Sequence, residues 1–232
     1  MVTVTIDGKI IRVEQNTPLL QAAKKLDIFI PTLCHHDAIK PYGSCRLCVV
    51  EVIQNNRSRL VTSCNFPADE GLYVLTSSDR VKDARRMVME LLLVRCPNIP
   101  FIQQLSRSYG VGTPRLKRMG DESCILCGLC VRVCDEVVGA RAISFVNRGI
   151  EREVHTPFQM NSDVCIGCGT CTYICPTSCI EMVDSDKPPG GRCMNMGDLK
   201  LGSCPSHYKC ETCDVDSAFS TEMKRVIENM RE

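Results

Sequence analysis

SCILCGLCVRVC at 123–134 and VCIGCGTCTYIC at 164–175 share one cysteine spacing, C-x2-C-x2-C-x3-C, and begin 41 residues apart. How these two copies are read decides the second half of the chain. Three thiols at two-residue gaps wrap one face of an iron–sulfur cube, and the glycines between them let backbone amides turn towards its sulfides. The fourth cysteine of such a motif is carried off on the following helix and serves the cluster of the other copy. The pattern therefore assigns Cys124, Cys127, Cys130 and Cys175 to one [4Fe–4S] cluster and Cys134, Cys165, Cys168 and Cys171 to a second. Zinc or buried free thiols would not require a doubled motif at this spacing. The second copy closes on Cys175-Pro176 and the first on Cys134-Asp135-Glu136. Negative charge, and with it a lower reduction potential, is expected beside one cluster.

Upstream, LCHHDAIKPYGSCRLC and TSCNFP place Cys34, Cys45, Cys48 and Cys64 at C-x10-C-x2-C-x15-C. Plant-type [2Fe–2S] loops use C-x4-C-x2-C before a distant fourth cysteine, so this is a lengthened relative, with zinc as the alternative. His35 and His36 adjoin a ligand, but four cysteines suffice and both histidines read as bystanders. The frame agrees: VTVTI and KIIRV alternate around an Asp7-Gly8 turn, as a hairpin does. Thr17 is expected to cap a helix with Pro18 at its first position, LLQAAKKL supplies an apolar face, and CVVEVI, RLVTSC and LYVLT read as strands. This order predicts a β-grasp.

Four segments follow: a [2Fe–2S] β-grasp domain over 1–78, a helical linker over 79–114, a two-[4Fe–4S] ferredoxin-like domain over 115–184 and a Cys-rich tail over 185–232, in an α+β chain overall. In the linker, Ser78 or Asp79 caps a helix running to about Val94, and a shorter one spans about Phe101 to Tyr109. The tail opens on KPPGG and ends in a helix, TEMKRVIENM. Charge is balanced, 28 basic against 27 acidic residues, which gives no footprint for nucleic acid or an anionic membrane. MVMELLLV is too short to span a bilayer, and MVTVTIDGKI lacks an apolar leader core. A reduced, cytoplasmic setting is thus expected, in which 18 cysteines serve metal rather than disulfides.

IPTLCHH, GSCRLCVVEV and CILCGLCVRVCDEVVG make Val2 to Val183 resemble the iron–sulfur module at the N-terminus of the large peripheral subunit of respiratory complex I. They resemble equally the diaphorase small subunit of NAD-reducing hydrogenases and the front end of many iron-only hydrogenases. In that family the first cube motif also commonly ends Cys-Asp-Glu. The resemblance implies a partner subunit carrying FMN, an NAD(H) site and its own clusters, and a further catalytic subunit or ferredoxin. One departure stands out. The family usually carries another [4Fe–4S] cluster held by one histidine and three cysteines, whereas VRCPNIPFIQQLSRSYG offers only Cys96, expected to be an ordinary buried thiol.

YGVGTP is no nucleotide fingerprint, so neither flavin nor nicotinamide is expected on this chain, nor a catalytic residue. The expected role is an iron–sulfur electron-transfer subunit of a soluble NAD(P)H-dependent oxidoreductase of the hydrogenase, transhydrogenase or formate dehydrogenase type, compatible with electron bifurcation. A soluble assembly is preferred to complex I because the chain does not continue into a large molybdopterin-like domain. The rival readings are an iron–sulfur subunit of succinate dehydrogenase or fumarate reductase type, which uses the short plant-like loop, and a cluster-based redox sensor, for which no DNA-reading helix or receiver domain is seen. In the tail, Cys193, Cys204, Cys210 and Cys213 form a fourth metal site. [4Fe–4S] is preferred to zinc there because only the last two make a close pair; His207 becomes a ligand only in a Cys3His site. Cys179 is a spare thiol or a substitute ligand.

Overall fold

The structure, a computed structural model, describes residues 1–117, 122–160 and 162–181 and divides into two units, Met1–Cys127 and Gly128 onward. The first unit begins with the hairpin β1 (Val2–Ile6) and β2 (Lys9–Val13), turned through Asp7 and Gly8, both at positive φ. After α1 (Leu19–Lys24) come β3 (Val49–Gln54), β4 (Arg57–Thr62) and β5 (Leu72–Leu75). The sheet order is β2-β1-β5-β3-β4, with β1 and β5 parallel and every other pair antiparallel. This is the expected β-grasp. Alternation places Val2, Val4 and Ile6 on the same face as Val50, Val52, Leu72 and Val74. That face closes on Leu19, Leu20, Ala22 and Ala23 of α1.

The start of α1 differs from expectation. Pro18 is the cap residue and no side chain caps the helix; the Thr17 hydroxyl instead donates to the Glu14 carbonyl at 2.7 Å. The first helical amides are satisfied from across the chain, Leu19 N–H by the Phe66 carbonyl and Leu20 N–H by that of Ser63. The loop bearing Cys64 therefore serves as the helix cap.

Two helices complete the unit, α2 (Asp79–Arg95) and α3 (Pro100–Ser108). Ser78 caps α2 as expected, accepting from Val81 N–H. Val81, Arg85, Met89 and Leu93 form a buried stripe at four-residue intervals. Glu51 of β3 is buried and accepts from the Ser58 and Ser78 hydroxyls and from Arg80, tying β4 and the head of α2 to the sheet. The Ser58 and Ser78 bonds hold its carboxyl below the usual range. The stability it contributes is therefore complete above the ordinary carboxylate pKa and is lost as pH falls through the depressed value. Glu51→Gln should cost about 1 kcal/mol near neutrality and flatten the acid limb of a thermal-denaturation pH profile.

The second unit, among its described residues, holds α4 (Leu129–Glu136), a short hairpin of β6 (Ser144–Val146) and β7 (Glu153–His155), and α5 (Thr170–Tyr173). Ser144–Val146, after the first cube motif, forms β6. Its partner is β7, antiparallel. Among the described residues no helix is long and apolar enough to cross a membrane.

Candidate iron–sulfur centres

All four cysteines of the first motif lie in the β-grasp unit. Cys34, Cys48 and Cys64 are buried and Cys45 is half-buried. Cys48 sits at the foot of β3, Cys64 just beyond β4, and Cys34 and Cys45 bracket the long loop after α1. The Ser63 amide and hydroxyl both donate to the Cys48 carbonyl, at 3.1 and 2.8 Å, and so fix the third cysteine against the fourth. The loop turns tightly: Arg46 has a φ of 62°, and Gly43 faces Asn65 so closely that a Cβ would meet its amide nitrogen at 2.8 Å. With its own φ at 71°, Gly43 sits where glycine is favoured.

The thiols interact in two pairs. Hydrogen bonding with Cys34 holds the Cys45 thiol down at about 6, and hydrogen bonding with Cys64 holds Cys48 down at about 7. The same bonds, with burial, push Cys34 and Cys64 well up. Each pair gives up one proton readily and retains the other, so metal binding would have to release it. Backbone amides favour the anion: Cys45 N–H lies 3.3 Å from Cys34 Sγ, and those of Leu33 and Leu47 lower Cys45. Three buried thiols and a half-buried one, with amide donors beside them, suit an iron–sulfur cluster. His35 turns its Nε2 to Asp37 Oδ1 at 3.1 Å, and burial lowers its pKa; His36 Nδ1 accepts from Ala38 N–H.

The two cube motifs repeat in backbone conformation as well as in letters. Leu126 and Gly167, each preceding the second cysteine, have φ of 53° and 67°; Gly128 and Gly169, each preceding the helix that bears the third, have 74° and 71°. Leucine is strained by this turn where glycine is not, and a Cβ at Gly169 would meet nothing within 4 Å. The glycine is there for its dihedral, which aims the following amides into the turn. In the second unit Cys134, Cys165, Cys168 and Cys171 line one cavity with Val138, Ala142 and Ile166. Cys134 also accepts from Ala142 N–H at 3.3 Å, and Cys165 is exposed. A thiol from the first motif thus joins three from the second.

Of the remaining set, Cys124 and Cys127 close the first unit and Cys130 and Cys175 lie in the second. Arg95 donates to the Cys124 carbonyl at 2.7 Å. Cys175 Sγ lies 3.5 Å from Cys179 Sγ. Asp135 and Glu136 do not stand as bare charge: Arg141 pairs with Asp135 at 2.5 Å and Arg132 with Glu136 at 3.5 Å. The expected lowering of potential is to that extent neutralised. Cys96 is fully buried at the end of α2. Among the described residues no three His, Cys, Asp or Glu side chains are grouped tightly enough for a single ion. Cys193, Cys204, Cys210, Cys213 and His207 lie outside the described residues.

Residues 1–79 match a 2Fe-2S iron-sulfur cluster binding domain, and residues 123–179 match a 4Fe-4S dicluster domain. The NADPH-Fe(3+) oxidoreductase subunit alpha of Geobacter sulfurreducens is 37% identical over 201 residues, covering 76% of this chain and 24% of that protein. The mitochondrial NADH-ubiquinone oxidoreductase 78 kDa subunit of Candida albicans is 31% identical over 186 residues, covering 69% and 26%. The chain thus spans about a quarter of the length of these curated relatives. A crystal structure of an NAD+-reducing [NiFe]-hydrogenase in its H2-reduced state superposes with a TM-score of 0.58 at 30% identity, over 67% of this chain and 74% of the other.

Proposed function

The chain belongs to the family of iron–sulfur modules found in the 78 kDa subunit of complex I and in NAD-linked hydrogenases, and on that premise we propose that it passes single electrons between a partner's flavin and another redox site. Clusters bound at the thiol sets supply one-electron transfer at potentials tuned by charge, hydrogen bonding and burial. The chain's own residues supply thiolates, amide donors and a scaffold that keeps water from the first site. The observation that carries the reading is the junction of Cys134 with Cys165, Cys168 and Cys171 in one cavity, the interleaving a two-cube relay needs.

The ligand sets are Cys34, Cys45, Cys48 and Cys64 for [2Fe–2S], Cys124, Cys127, Cys130 and Cys175 for the first cube, and Cys134, Cys165, Cys168 and Cys171 for the second. Exposed Cys165 would leave that cube open to solvent on one side. The tail holds a further [4Fe–4S] cluster, and the chain itself binds neither flavin nor nicotinamide. The partner is a flavin- and NAD(H)-binding iron–sulfur subunit, with a further catalytic subunit or ferredoxin beyond it, in the cytoplasm. The parent enzyme is of hydrogenase, transhydrogenase or formate dehydrogenase type.

Anaerobic protein should contain about fourteen irons per chain, against about ten if the tail binds zinc or nothing. Dithionite should reduce its clusters directly. NADH should do so only after the flavin-bearing subunit is added. Rapid reduction by NADH of the purified chain alone, or stoichiometric flavin retained on it, would overturn the relay reading.

A further inference from the structure

Arg85 is a charge in an unexpected place. It lies on the buried stripe of α2, only 7% exposed, between Val81 and Met89. Its Nε donates to the Leu47 carbonyl at 3.1 Å and one terminal nitrogen donates to the Val49 carbonyl at 2.9 Å. The guanidinium therefore grips the backbone on both sides of Cys48. No carboxylate among the described residues forms an ion pair with it. The ionisable groups that face it are Tyr109, Cys48 and Asp7. Of these, Tyr109 is pushed further from ionisation by burial, and the Asp7 carboxylate, hydrogen-bonded by the amide and hydroxyl of Thr76, attracts Arg85 without pairing with it.

A buried cation without a directly paired carboxylate is costly, and a guanidinium keeps its proton across the physiological range. A structural clamp on two carbonyls does not demand this charge, since a neutral amide could donate to the same oxygens. What the charge adds is a positive field at Cys48 through a medium that screens poorly. A cluster gains negative charge on reduction, so that field favours the reduced form.

We propose that Arg85 sets the reduction potential of the [2Fe–2S] centre, holding it more positive by standing behind Cys48 as a buried cation that no described carboxylate pairs. The assignment rests on the reading that Cys34, Cys45, Cys48 and Cys64 hold that cluster. Arg85 is a positioning residue with an electrostatic role as well, since it fixes the Cys48 turn and biases the electron towards this station. Lysine at this position preserves the charge while losing the two-pronged grip. Glutamine preserves a donor while losing the charge.

The test is an anaerobic redox titration of the full chain, following the [2Fe–2S] EPR signal in wild type, Arg85→Gln and Arg85→Lys. Arg85→Gln should make reduction at least tenfold less favourable, a midpoint about 59 mV more negative for one electron, while Arg85→Lys stays near wild type. A fully occupied Arg85→Gln cluster with an unchanged midpoint would overturn the proposal. If Arg85→Gln holds no cluster, Arg85→Lys decides. A midpoint at the wild-type value supports the electrostatic role, and a tenfold or larger loss refutes it, because the charge is still present. Wild type without any [2Fe–2S] signal would instead defeat the cluster assignment itself, a separate result.

Discussion

Replacing Cys175 by serine, with Cys179 also changed to serine, should remove about four irons per chain and erase the EPR signal of the cube whose other ligands are Cys124, Cys127 and Cys130. The cube of Cys134, Cys165, Cys168 and Cys171 should keep its signal, although Cys175 is only four residues from Cys171. The reason lies in helix geometry. In each motif the third cysteine lies near the start of a helix and the fourth follows four residues later, Cys134 still within α4 and Cys175 two residues past the end of α5. Residues at i and i+4 share a helix face but are displaced by about 6 Å along the axis. In α4 the fourth thiol is thereby lifted away from the loop that carries the first three. For Cys134 the consequence is visible, since it lines the cavity of the second motif. The matched left-handed turns at Gly128 and Gly169 lead to the expectation of a reciprocal place for Cys175. The second substitution is needed because Cys179 Sγ lies 3.5 Å from Cys175 Sγ, close enough to take over. Loss of the signal from the Cys165–Cys171 cube, with the other retained, would reverse the assignment.

What is legible in the sequence is whatever local chemistry decides. The five strands of the sheet follow from alternation and turn residues, the Ser78 cap from its place before an apolar run, and the cube motifs from thiol spacing. The misses share another origin. Thr17 looks like a cap, but the helix amides it would satisfy are taken by carbonyls of residues 63 and 66, some forty-five positions away. β7 is not readable because Glu153-Val154-His155 has too little apolar pattern to declare itself without β6 beside it. Asp135 and Glu136 look like bare charge because Arg132 and Arg141 are recognisable as partners only once α4 and the turn after it exist. Arg85 does leave a signal. It falls on the four-residue stripe with Val81, Met89 and Leu93, where a charged residue is out of place. The ligand assignments still await the cysteine variants, since the motif names the thiols and only iron can report which of them it holds.

Removing iron under anaerobic conditions should unfold the second unit and spare the sheet of the first. The β-grasp has a core of its own, in which Val4, Ile6, Leu19, Leu20, Val50, Val52, Leu72 and Val74 are all almost wholly buried. None of these side chains depends on a metal. The second unit is built otherwise. Its described buried apolar residues are Leu129, Cys130, Val133, Cys134, Ala142 and Ile174, and two of these six are cluster ligands in the present reading. Its helices have eight and four residues and its strands three each. Helices shorter than about 12 residues are marginal in water, and so is an isolated two-stranded hairpin. With so little apolar surface among the described residues, thiolate–iron bonds are expected to supply the folding free energy there, and binding and folding would become one equilibrium. Hydrogen exchange followed by mass spectrometry reads this directly. After chelation, amides of 128–181 should lose protection by about a hundredfold or more, equivalent to ~3 kcal/mol. Amides of β1, β3 and β5 should stay protected while those of the 34–48 loop loosen. Retained protection in α4 and α5 without iron would mean that this unit has an apolar core sufficient to hold it, and that the clusters are passengers in a scaffold already folded.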